Sequence, residues 1–243
     1  MIRTRRFPTL RCILTNLLAV ALACAVLAAR TAPQPALVNI RDLSSTISVD
    51  VPYAAAGNFT GARLYSHNIC LLRPSVARAL VEAHRDFVAR GYRLKMLDCY
   101  RPKSVSLAMW KAGEDHNRAC RALGHECKRG GCDPARPDCL WEPLTNYLSR
   151  ASKHNRGATV DVTLVRLMGR PVDMGTPYDF FGPEARTSNA TGRILENRLL
   201  LNQVMALHGF ANYFREWWHY DHNTYKNFPV LDVPFKEFVK SLE

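Results

Sequence analysis

The spacing of apolar residues along the chain predicts two long amphipathic helices. The first begins at Pro74, a residue that suits the first turn of a helix, and apolar positions recur every three or four residues until Gly91 ends it. The second covers Ile194–Leu207 and is followed closely by a glycine. A further helix is predicted over residues 103–112 and a short one over Leu144–Arg150.

Alternating or β-rich runs predict short strands at residues 92–97, 158–165 and 217–220. Turn-forming residues are concentrated in the segments Tyr53–Gly61 and Pro177–Gly182. Because helices and strands are mixed without regular alternation, and no internal repeat is present, the pattern predicts an α+β fold. The chain has 243 residues, of which 47% are hydrophobic, and this suffices for one domain with a sizeable core.

The N-terminal segment has the features of an export signal. A cluster of arginines precedes an apolar run over residues 13–29, and small residues close it. We therefore expect a signal peptide and leader over residues 1–32, a linker over residues 33–52 and a folded domain over residues 53–243, located in the periplasm or outside the cell. An uncleaved anchor, or lipidation at Cys24, is an alternative that would tether the protein to a membrane.

The net charge changes this picture little. The formal charge is +12, and the leader holds five arginines and no acidic residue, which leaves 12 − 5 = +7 on the rest of the chain. The remaining Lys and Arg residues are scattered and are not interleaved with aromatic residues. The sequence therefore predicts no nucleic-acid binding, and it implies no stable protein partner.

Six cysteines follow the leader, an even number that suggests disulfides in an exported chain. They are Cys70, Cys99, Cys120, Cys127, Cys132 and Cys139. Six cysteines allow fifteen pairings, and the sequence does not choose among them. Four of them lie in a Gly-, Pro- and Cys-rich insertion predicted over residues 113–143. A structural zinc site there is disfavoured because no short Cys-x-x-Cys pair is present.

The segment from Ser152 to Asp161 contains two candidate metal ligands. His154 and Asp161 are seven residues apart, but Gly157 and the β-branched residues after it argue against a continuous helix. We expect His154 on a loop and Asp161 on the following strand, with Gly157 letting the backbone fold back. Imidazole nitrogen and carboxylate oxygen both suit zinc, although a hydrogen-bonded structural pair has the same composition.

The segment from Glu216 to Tyr220 contains a second candidate pair, Glu216 and His219. On an ideal strand, residues three apart point to opposite faces, so Glu216 is expected on the preceding loop or on a bulge that turns it back. His219 would be the third zinc ligand, and Glu216 would take a proton from the attacking water. A packed aromatic cluster with an incidental glutamate would give the same pattern.

The turn Asp98–Pro102 supplies a candidate for transition-state stabilisation. Peptide hydrolysis places negative charge on the carbonyl oxygen, and a fixed guanidinium such as that of Arg101 would stabilise it. A surface salt bridge is the alternative interpretation of this turn. Taken together, two histidines and one carboxylate leave a tetrahedral zinc with an open position, as catalytic zinc sites require.

These segments resemble the D-alanyl-D-alanine dipeptidase family of zinc peptidases, the type known from vancomycin resistance. The matches run in the family's order through Asp98–Pro102, Ser152–Asp161, Met174–Phe180 and Glu216–Tyr220. The turn-rich stretch that begins at Tyr53 is also similar, with one extra residue. The resemblance implies an α+β fold with a small, mostly antiparallel central sheet flanked by helices.

The resemblance also implies roles for individual residues. One zinc ion would be held by His154, Asp161 and His219, with Glu216 as general base and then acid and Arg101 at the oxyanion. Asp179, Tyr53 and Ser152 would bind the small D,D-dipeptide, with Asp179 paired to its free ammonium group. The implied reaction is zinc-dependent hydrolysis of D-Ala-D-Ala in cell-wall peptide metabolism.

Three departures from the family pattern bear on this interpretation. Thr159 replaces the usual alanine, Tyr178 replaces phenylalanine, and the Cys-rich insertion precedes the zinc segment. The insertion leaves a D,D-carboxypeptidase acting on longer peptidoglycan peptides as an alternative. A non-catalytic module with a structural zinc is the other alternative, although such a site requires neither Glu216 nor Arg101.

Overall fold

The computed structural model describes residues 37–122 and 144–239. The predicted leader lies outside these residues, as do residues 33–36 and the part of the predicted insertion from 123 to 143. In the described part of the chain, no helix combines the length and the apolar character needed to cross a bilayer.

The helices in the described part of the chain differ greatly in length. They are α1 (Ile40–Leu43), α2 (Pro74–Ala89), α3 (Lys103–Ala122), α4 (Gly192–Leu207) and α5 (Lys236–Val239). Helix α2 agrees with the prediction, since Pro74 occupies its first turn and Gly91, with a φ of 86°, follows its end. Helix α4 begins two residues before the predicted start. The predicted helix over residues 144–150 is reduced to a 3-10 turn, Leu144–Asn146.

Helix α3 continues ten residues into the predicted insertion. Its buried face is formed by Ser106, Met109, Gly113 and Asn117, which are mostly small or polar residues. A hydrophobic pattern could therefore not reveal the length of this helix. Asp115, which pairs with Lys111 and Arg118 on the exposed side, adds the i,i+3 and i,i+4 ion pairs that support a helix.

The strands form a five-stranded sheet and a separate two-stranded one. The strands are β1 (Val38–Asn39), β2 (Ser48–Val49), β3 (Leu71–Leu72), β4 (Tyr92–Asp98), β5 (Thr159–Arg166), β6 (Phe210–Asn212) and β7 (His219–His222). The larger sheet has the order β2-β4-β5-β7-β6, and only the β2–β4 pair is parallel. The α+β class and the mostly antiparallel sheet are thereby confirmed.

The segment expected to be a linker, residues 33–52, belongs to the domain from residue 37 onward. Strand β1 pairs with β3, and β2 pairs with β4 at the sheet edge. Ile40, Ile47 and Val49 are at most 5% exposed and pack into the main core. The apolar residues are spaced too irregularly along this stretch to indicate strands, because each strand contributes only two residues.

Cys70 and Cys99 lie side by side, with their Cα atoms 5.2 Å apart. This separation lies within the range that a disulfide requires. Cys70 precedes β3 and Cys99 follows β4, so a bond between them would join the small sheet to the large one. The pairing of the other four cysteines lies outside the described side chains and stays open.

Candidate active site

A row of polar residues crosses three neighbouring strands at one end of the sheet. Asp161 on β5 is paired in register with Asp98 on β4 and with His219 on β7. Asp98 and Asp161 are at most 3% exposed, in a region where the neighbouring strand residues are apolar. Three strands that are distant in the sequence thus place their polar ends together, and the register of the sheet fixes that arrangement.

His154 reaches the same place from the loop before β5. It lies on a 3-10 turn, Lys153–Arg156, whose first backbone N–H groups are capped by the Ser152 side chain, with the His154 N–H donating to Ser152 Oγ at 3.3 Å. Gly157 ends the turn with a φ of 69°, a conformation that favours glycine. A Cβ at this position would lie 2.7 Å from Leu37 Cδ2, so the leucine side chain would have to move to admit a larger residue. The predicted loop, fold-back and strand are all present.

Three potential ligand atoms form a nearly equilateral triangle. His154 Nε2 lies 3.2 Å from His219 Nδ1 and 3.3 Å from Asp161 Oδ1, and His219 Nδ1 lies 3.1 Å from Asp161 Oδ1. Zinc with tetrahedral nitrogen and oxygen ligands at about 2.0–2.1 Å holds its ligand atoms about 3.3–3.4 Å apart. The triangle therefore has the size that a zinc ion requires.

The hydrogen bonds of the outer ring nitrogens indicate that each histidine turns a lone pair toward the triangle. His154 Nδ1 lies 2.8 Å from the Cys99 carbonyl oxygen, which can only accept, so this nitrogen donates. His219 Nε2 lies 3.3 Å from Asp221 Oδ1, which likewise accepts. In neutral rings the inner nitrogens are then bare, and with the Asp161 carboxylate they make three acceptors in contact. Such a set needs a cation or a proton among its members, and its donor chemistry fits zinc.

The pKa shifts of Asp161 and His219 also indicate that this site favours a positive charge. Burial opposes a charge on Asp161, but the two histidines outweigh it and hold the pKa of Asp161 well below its usual range. Burial likewise opposes a charge on His219, yet Asp161 and Asp221 raise the pKa of His219 to about 10. A metal ion bound to these atoms would compete with protons for the same lone pairs.

Glu216 lies on the loop between β6 and β7, as expected, and its Oε2 is 3.5 Å from His219 Nδ1. The loop turns tightly because the Glu216 N–H donates to the Tyr213 carbonyl and the His219 N–H donates to the Glu216 carbonyl. Glu216 is 6% exposed. Burial raises its pKa to about 8, although the charge on His219 acts in the opposite direction. A carboxyl group with such a pKa can both accept and return a proton near neutral pH.

Arg101 is buried, and its guanidinium group is held by the carboxylate of Asp98. Its Nε and Nη2 donate to Asp98 Oδ2 at 3.0 and 2.6 Å, and the guanidinium carbon lies 5.6 Å from the centre of the Tyr53 ring. Asp98 Oδ1 accepts from the Tyr65 hydroxyl and from the Cys99 N–H. The ion pair is thus internal rather than a surface salt bridge. Because a guanidinium has five donors, Arg101 can still donate to a ligand in the cavity.

Asp179 faces the same cavity from the Met174–Phe180 segment. Its φ is 61°, the only positive φ of a non-glycine residue in the described part of the chain, and such conformations are concentrated at functional sites. Tyr53 donates its hydroxyl proton to Asp179 Oδ2 at 2.7 Å. Burial raises the pKa of Asp179 to about 8, despite the hydrogen bond from Tyr53. A cationic ligand would stabilise the ionised form.

All eight site residues predicted from the sequence line one cavity. Its walls also include four apolar or aromatic residues, which are Tyr147, Leu148, Phe181 and Trp218. A larger cavity of about 420 Å³ is lined by residues such as Thr163, Val172 and Trp217. We assign the chemistry to the smaller cavity, since among the described residues the only His, Cys, Asp or Glu cluster suited to a metal is the one at its wall.

Two further residues of the site make contacts that the sequence analysis did not indicate. Asp221 accepts a hydrogen bond from the outer nitrogen of His219, and the period of two along a strand, which places Asp221 on the face of His219, could have indicated it. Tyr178, noted only as a departure, donates to Asp161 Oδ2 at 2.7 Å. No sequence signal indicates that contact, because it joins a loop to a strand.

The family model described as D-ala-D-ala dipeptidase, Peptidase M15, matches residues 33–241 of the chain. A D-alanyl-D-alanine dipeptidase of Enterococcus faecalis is 34% identical over 195 residues, which cover 74% of this chain and 91% of that protein. The enzyme of the same name from Escherichia coli is 26% identical over 205 residues, which cover 84% of this chain and 93% of that protein.

A more distant likeness is to a solved structure of the vancomycin resistance D,D-pentapeptidase VanY in complex with Zn(II). It covers 81% of this chain and 92% of that chain with 12% identity and a TM-score of 0.37, and so distant a likeness carries no structural argument. The family model spans most of the chain, and the relative at 34% identity covers 74% of it. The chain belongs to the D-alanyl-D-alanine dipeptidase family.

Proposed function

We propose that this protein hydrolyses the dipeptide D-Ala-D-Ala in cell-wall peptide metabolism, with one zinc ion held by His154, Asp161 and His219. The observation that carries the proposal is the triangle of three bare ligand atoms at the wall of a cavity that also contains Glu216 and Arg101. Family membership supplies the substrate class, since the relatives named above are D-alanyl-D-alanine dipeptidases.

The balance of charge in the cavity supports a small substrate with a free ammonium group. Asp161, Asp179 and Glu216 bring three carboxyl groups to the cavity, while the charge of Arg101 is already offset by Asp98. Burial raises the pKa of both Asp179 and Glu216 to about 8, and a divalent metal ion together with an ammonium group beside Asp179 would favour their ionised forms. On the outer side of His219, Lys153 is paired with Asp221.

Zinc bound to the three ligands would act as a Lewis acid, which lowers the pKa of water and polarises the peptide carbonyl. The residues of the chain carry out the remaining steps. Glu216 takes a proton from the attacking water and later gives it to the leaving amine, so that the peptide bond breaks as the new carboxyl group forms. Its position next to the ligand nitrogen of His219 and its raised pKa both suit this exchange.

Arg101 donates to the carbonyl oxygen as negative charge develops on it. A donor that is already oriented before the reaction stabilises the transition state most effectively. Asp98 provides that orientation, because it holds two guanidinium nitrogens from below and is itself fully buried. The cost of burying this ion pair in the fold is offset by the hydrogen bonds that Asp98 accepts from Tyr65 and Cys99.

Asp179 would bind the ammonium group of the dipeptide, and Tyr53 would hold the Asp179 carboxylate in place through its hydroxyl. Ser152 would contribute at the cavity wall, where it also caps the turn that carries His154. A carboxylate at the amine end favours a dipeptide over a longer peptide, because a longer peptide has an amide rather than an ammonium group at that position.

We further propose that the protein is exported, with residues 1–32 as its signal peptide and leader, and that it acts in the periplasm or outside the cell. The arginines and the apolar run of the leader support export. A disulfide between Cys70 and Cys99, whose Cα separation suits one, fits an oxidising compartment. A tether to the membrane through an uncleaved or lipidated N-terminus is a variant of this proposal.

The test is a comparison of three substrates with the zinc-loaded protein. D-Ala-D-Ala, L-Ala-L-Ala and a pentapeptide that ends in D-Ala-D-Ala are each offered, and released alanine is measured. We expect release from the D,D-dipeptide alone, and we expect a chelator to abolish it and added zinc to restore it.

Each other outcome selects a different function. Faster turnover of the pentapeptide than of the dipeptide would identify a D,D-carboxypeptidase instead. A protein that binds one zinc ion per chain and releases alanine from none of the three substrates would be a binding module. Equal turnover of the L,L- and D,D-dipeptides would remove the stereochemical basis of the proposal.

A further inference from the structure

A second pair of polar residues lies directly beside the ligand pair of β5 and β7. Asp161 and His219 face each other in register, and so do Thr159 and Asp221, two residues away on the same two strands. Since residues two apart on a strand point to the same face, both pairs lie on one side of the sheet. The second pair is therefore placed to act on the first.

The Asp221 carboxylate is held at both of its oxygens. Oδ1 accepts from the Thr159 hydroxyl at 2.9 Å, and Oδ2 accepts from Lys153 Nζ at 2.5 Å. The remaining contact of Oδ1 is with His219 Nε2 at 3.3 Å. Asp221 is 8% exposed, so water competes little for these contacts. A carboxylate fixed in this way can serve as a rigid acceptor for an imidazole.

The consequence for His219 follows from the roles of the partners. Lys153 can only donate, and an ionised carboxylate can only accept, so the His219 Nε2 that faces Asp221 must carry a hydrogen. The lone pair of the neutral ring then lies on Nδ1, which points to Asp161 Oδ1 and His154 Nε2. The other tautomer would turn an N–H group toward the place where the metal is expected.

The two histidines of the site are supported differently. His154 donates to the backbone carbonyl of Cys99, which carries no charge and whose position depends on the chain fold alone. His219 faces a carboxylate, which raises the basicity of a ligand imidazole more than a carbonyl does. Lys153 is the residue before His154, so its ion pair with Asp221 also joins the two segments that carry the histidines.

We propose that Asp221 is a positioning residue of the zinc site: held by Lys153 and Thr159, it fixes the tautomer and the orientation of His219. This inference rests on the assignment of His219 as a zinc ligand in the proposed function. It adds a role for Thr159, which stands where the family pattern has alanine, since an alanine there would remove the hydrogen bond to Asp221 Oδ1.

The test measures zinc affinity, by competition with a chromophoric chelator, in Asp221→Ala and Asp221→Asn. Loss of a residue that orients a zinc-bound histidine typically weakens metal binding about 10- to 100-fold, and we expect a loss in this range for Asp221→Ala. We expect a smaller loss for Asp221→Asn, because the amide oxygen can still accept from His219 Nε2. Circular dichroism and thermal unfolding of the metal-free variants check that they fold.

A matched control is available elsewhere in the chain. His208 Nε2 lies 2.9 Å from Asp86 Oδ2, so Asp86→Asn makes the same change in a histidine–aspartate pair outside the cavity. We expect its zinc affinity to equal that of the unmodified protein. The visible spectrum of the Co(II)-substituted protein gives a second measurement, and we expect the ligand-field bands to shift in Asp221→Ala and not in Asp86→Asn.

Two results would overturn the inference. One is a zinc affinity of Asp221→Ala within about threefold of the unmodified protein, outside the range typical for such residues. The other is a Co(II) spectrum that does not change, which together with reduced thermal stability would leave Asp221 a purely structural role. Failure of the proposed function is recognised separately, because it is a property of the unmodified protein: zinc bound tightly with no dipeptide cleaved.

Discussion

Replacement of Glu216 by glutamine is expected to abolish most of the hydrolysis and to leave zinc bound. Glutamine has nearly the volume of glutamate, so the tight loop between β6 and β7 and the packing around a side chain that is 6% exposed should be retained. The change removes the ability to take up and return a proton. It leaves His154, Asp161 and His219 in place, so the metal site keeps its ligands.

The expected magnitude follows from the position of this carboxyl group. Its Oε2 lies 3.5 Å from the ligand nitrogen of His219, close to where an attacking water would meet the substrate carbonyl. General acid–base catalysis by one positioned group contributes about 10²- to 10⁴-fold. At about 1.4 kcal/mol per factor of ten, the barrier should rise by about 3–5 kcal/mol. Since Glu216 is assigned to both proton transfers, the fall should appear in kcat, with little change in KM.

The assay follows alanine release from D-Ala-D-Ala, with the bound zinc counted in the same samples. The control is Glu82→Gln, which makes the identical change at an exposed glutamate of helix α2 that is outside the cavity. It should keep full activity. If Glu216→Gln, with one zinc per chain, retains more than about a tenth of the activity, Glu216 is not the general base, since a general base contributes about 10²-fold or more. Loss of zinc together with activity would make Glu216 a ligand instead.

Three further predictions concern stability. Gly157→Ala places a Cβ at a φ of 69° and 2.7 Å from a neighbouring side chain, so it should destabilise the fold by more than the roughly 1–2 kcal/mol of the backbone conformation alone. Gly61→Ala, at a φ of 67° in open space, should show only the backbone effect, and equal losses in thermal unfolding would contradict the packing argument. Burial raises the pKa of Tyr100 to about 12, so the stability that it contributes is fully present below pH 10 and is lost as the pH rises through about 12. Denaturant unfolding between pH 9 and 12 should therefore depend less on pH in Tyr100→Phe, and an unchanged slope would count against this. Replacement of both Cys70 and Cys99 by serine should lower the free energy of unfolding by about 3–4 kcal/mol, the value for a loop of about 30 residues, while a protein whose stability is insensitive to reducing agent would lack the bond.

The long elements could be predicted because each carries its own periodic pattern. Helix α2 has a continuous apolar face between a proline and a glycine, and β4 and β5 each carry enough apolar residues to be recognised. Helix α3 has a buried face of small or polar residues, and β1 and β2 have two residues each, so none of the three carries such a pattern over its full length. A short edge strand is defined by its hydrogen-bonded partner, which a linear pattern does not contain.

The sequence by itself determined which residues could carry the chemistry. The residue types in Ser152–Asp161 and Glu216–Tyr220, and their order along the chain, indicated two histidines, a carboxylate and an acid/base before any geometry was known. It also indicated that Glu216 does not continue the strand that carries His219, because side chains three residues apart on a strand point to opposite faces. These conclusions depend only on the chemistry of side chains and on local backbone geometry.

Only the tertiary structure decided how these residues act on one another. The register of β4, β5 and β7 brings Asp98, Asp161 and His219 into one row, and it places Asp221 behind His219. Whether Arg101 forms a surface salt bridge or an internal one depended on burial, which its turn did not reveal. Distances, tautomers and pKa values arise from contacts between segments far apart in the chain, and such contacts exist only once the sheet has formed.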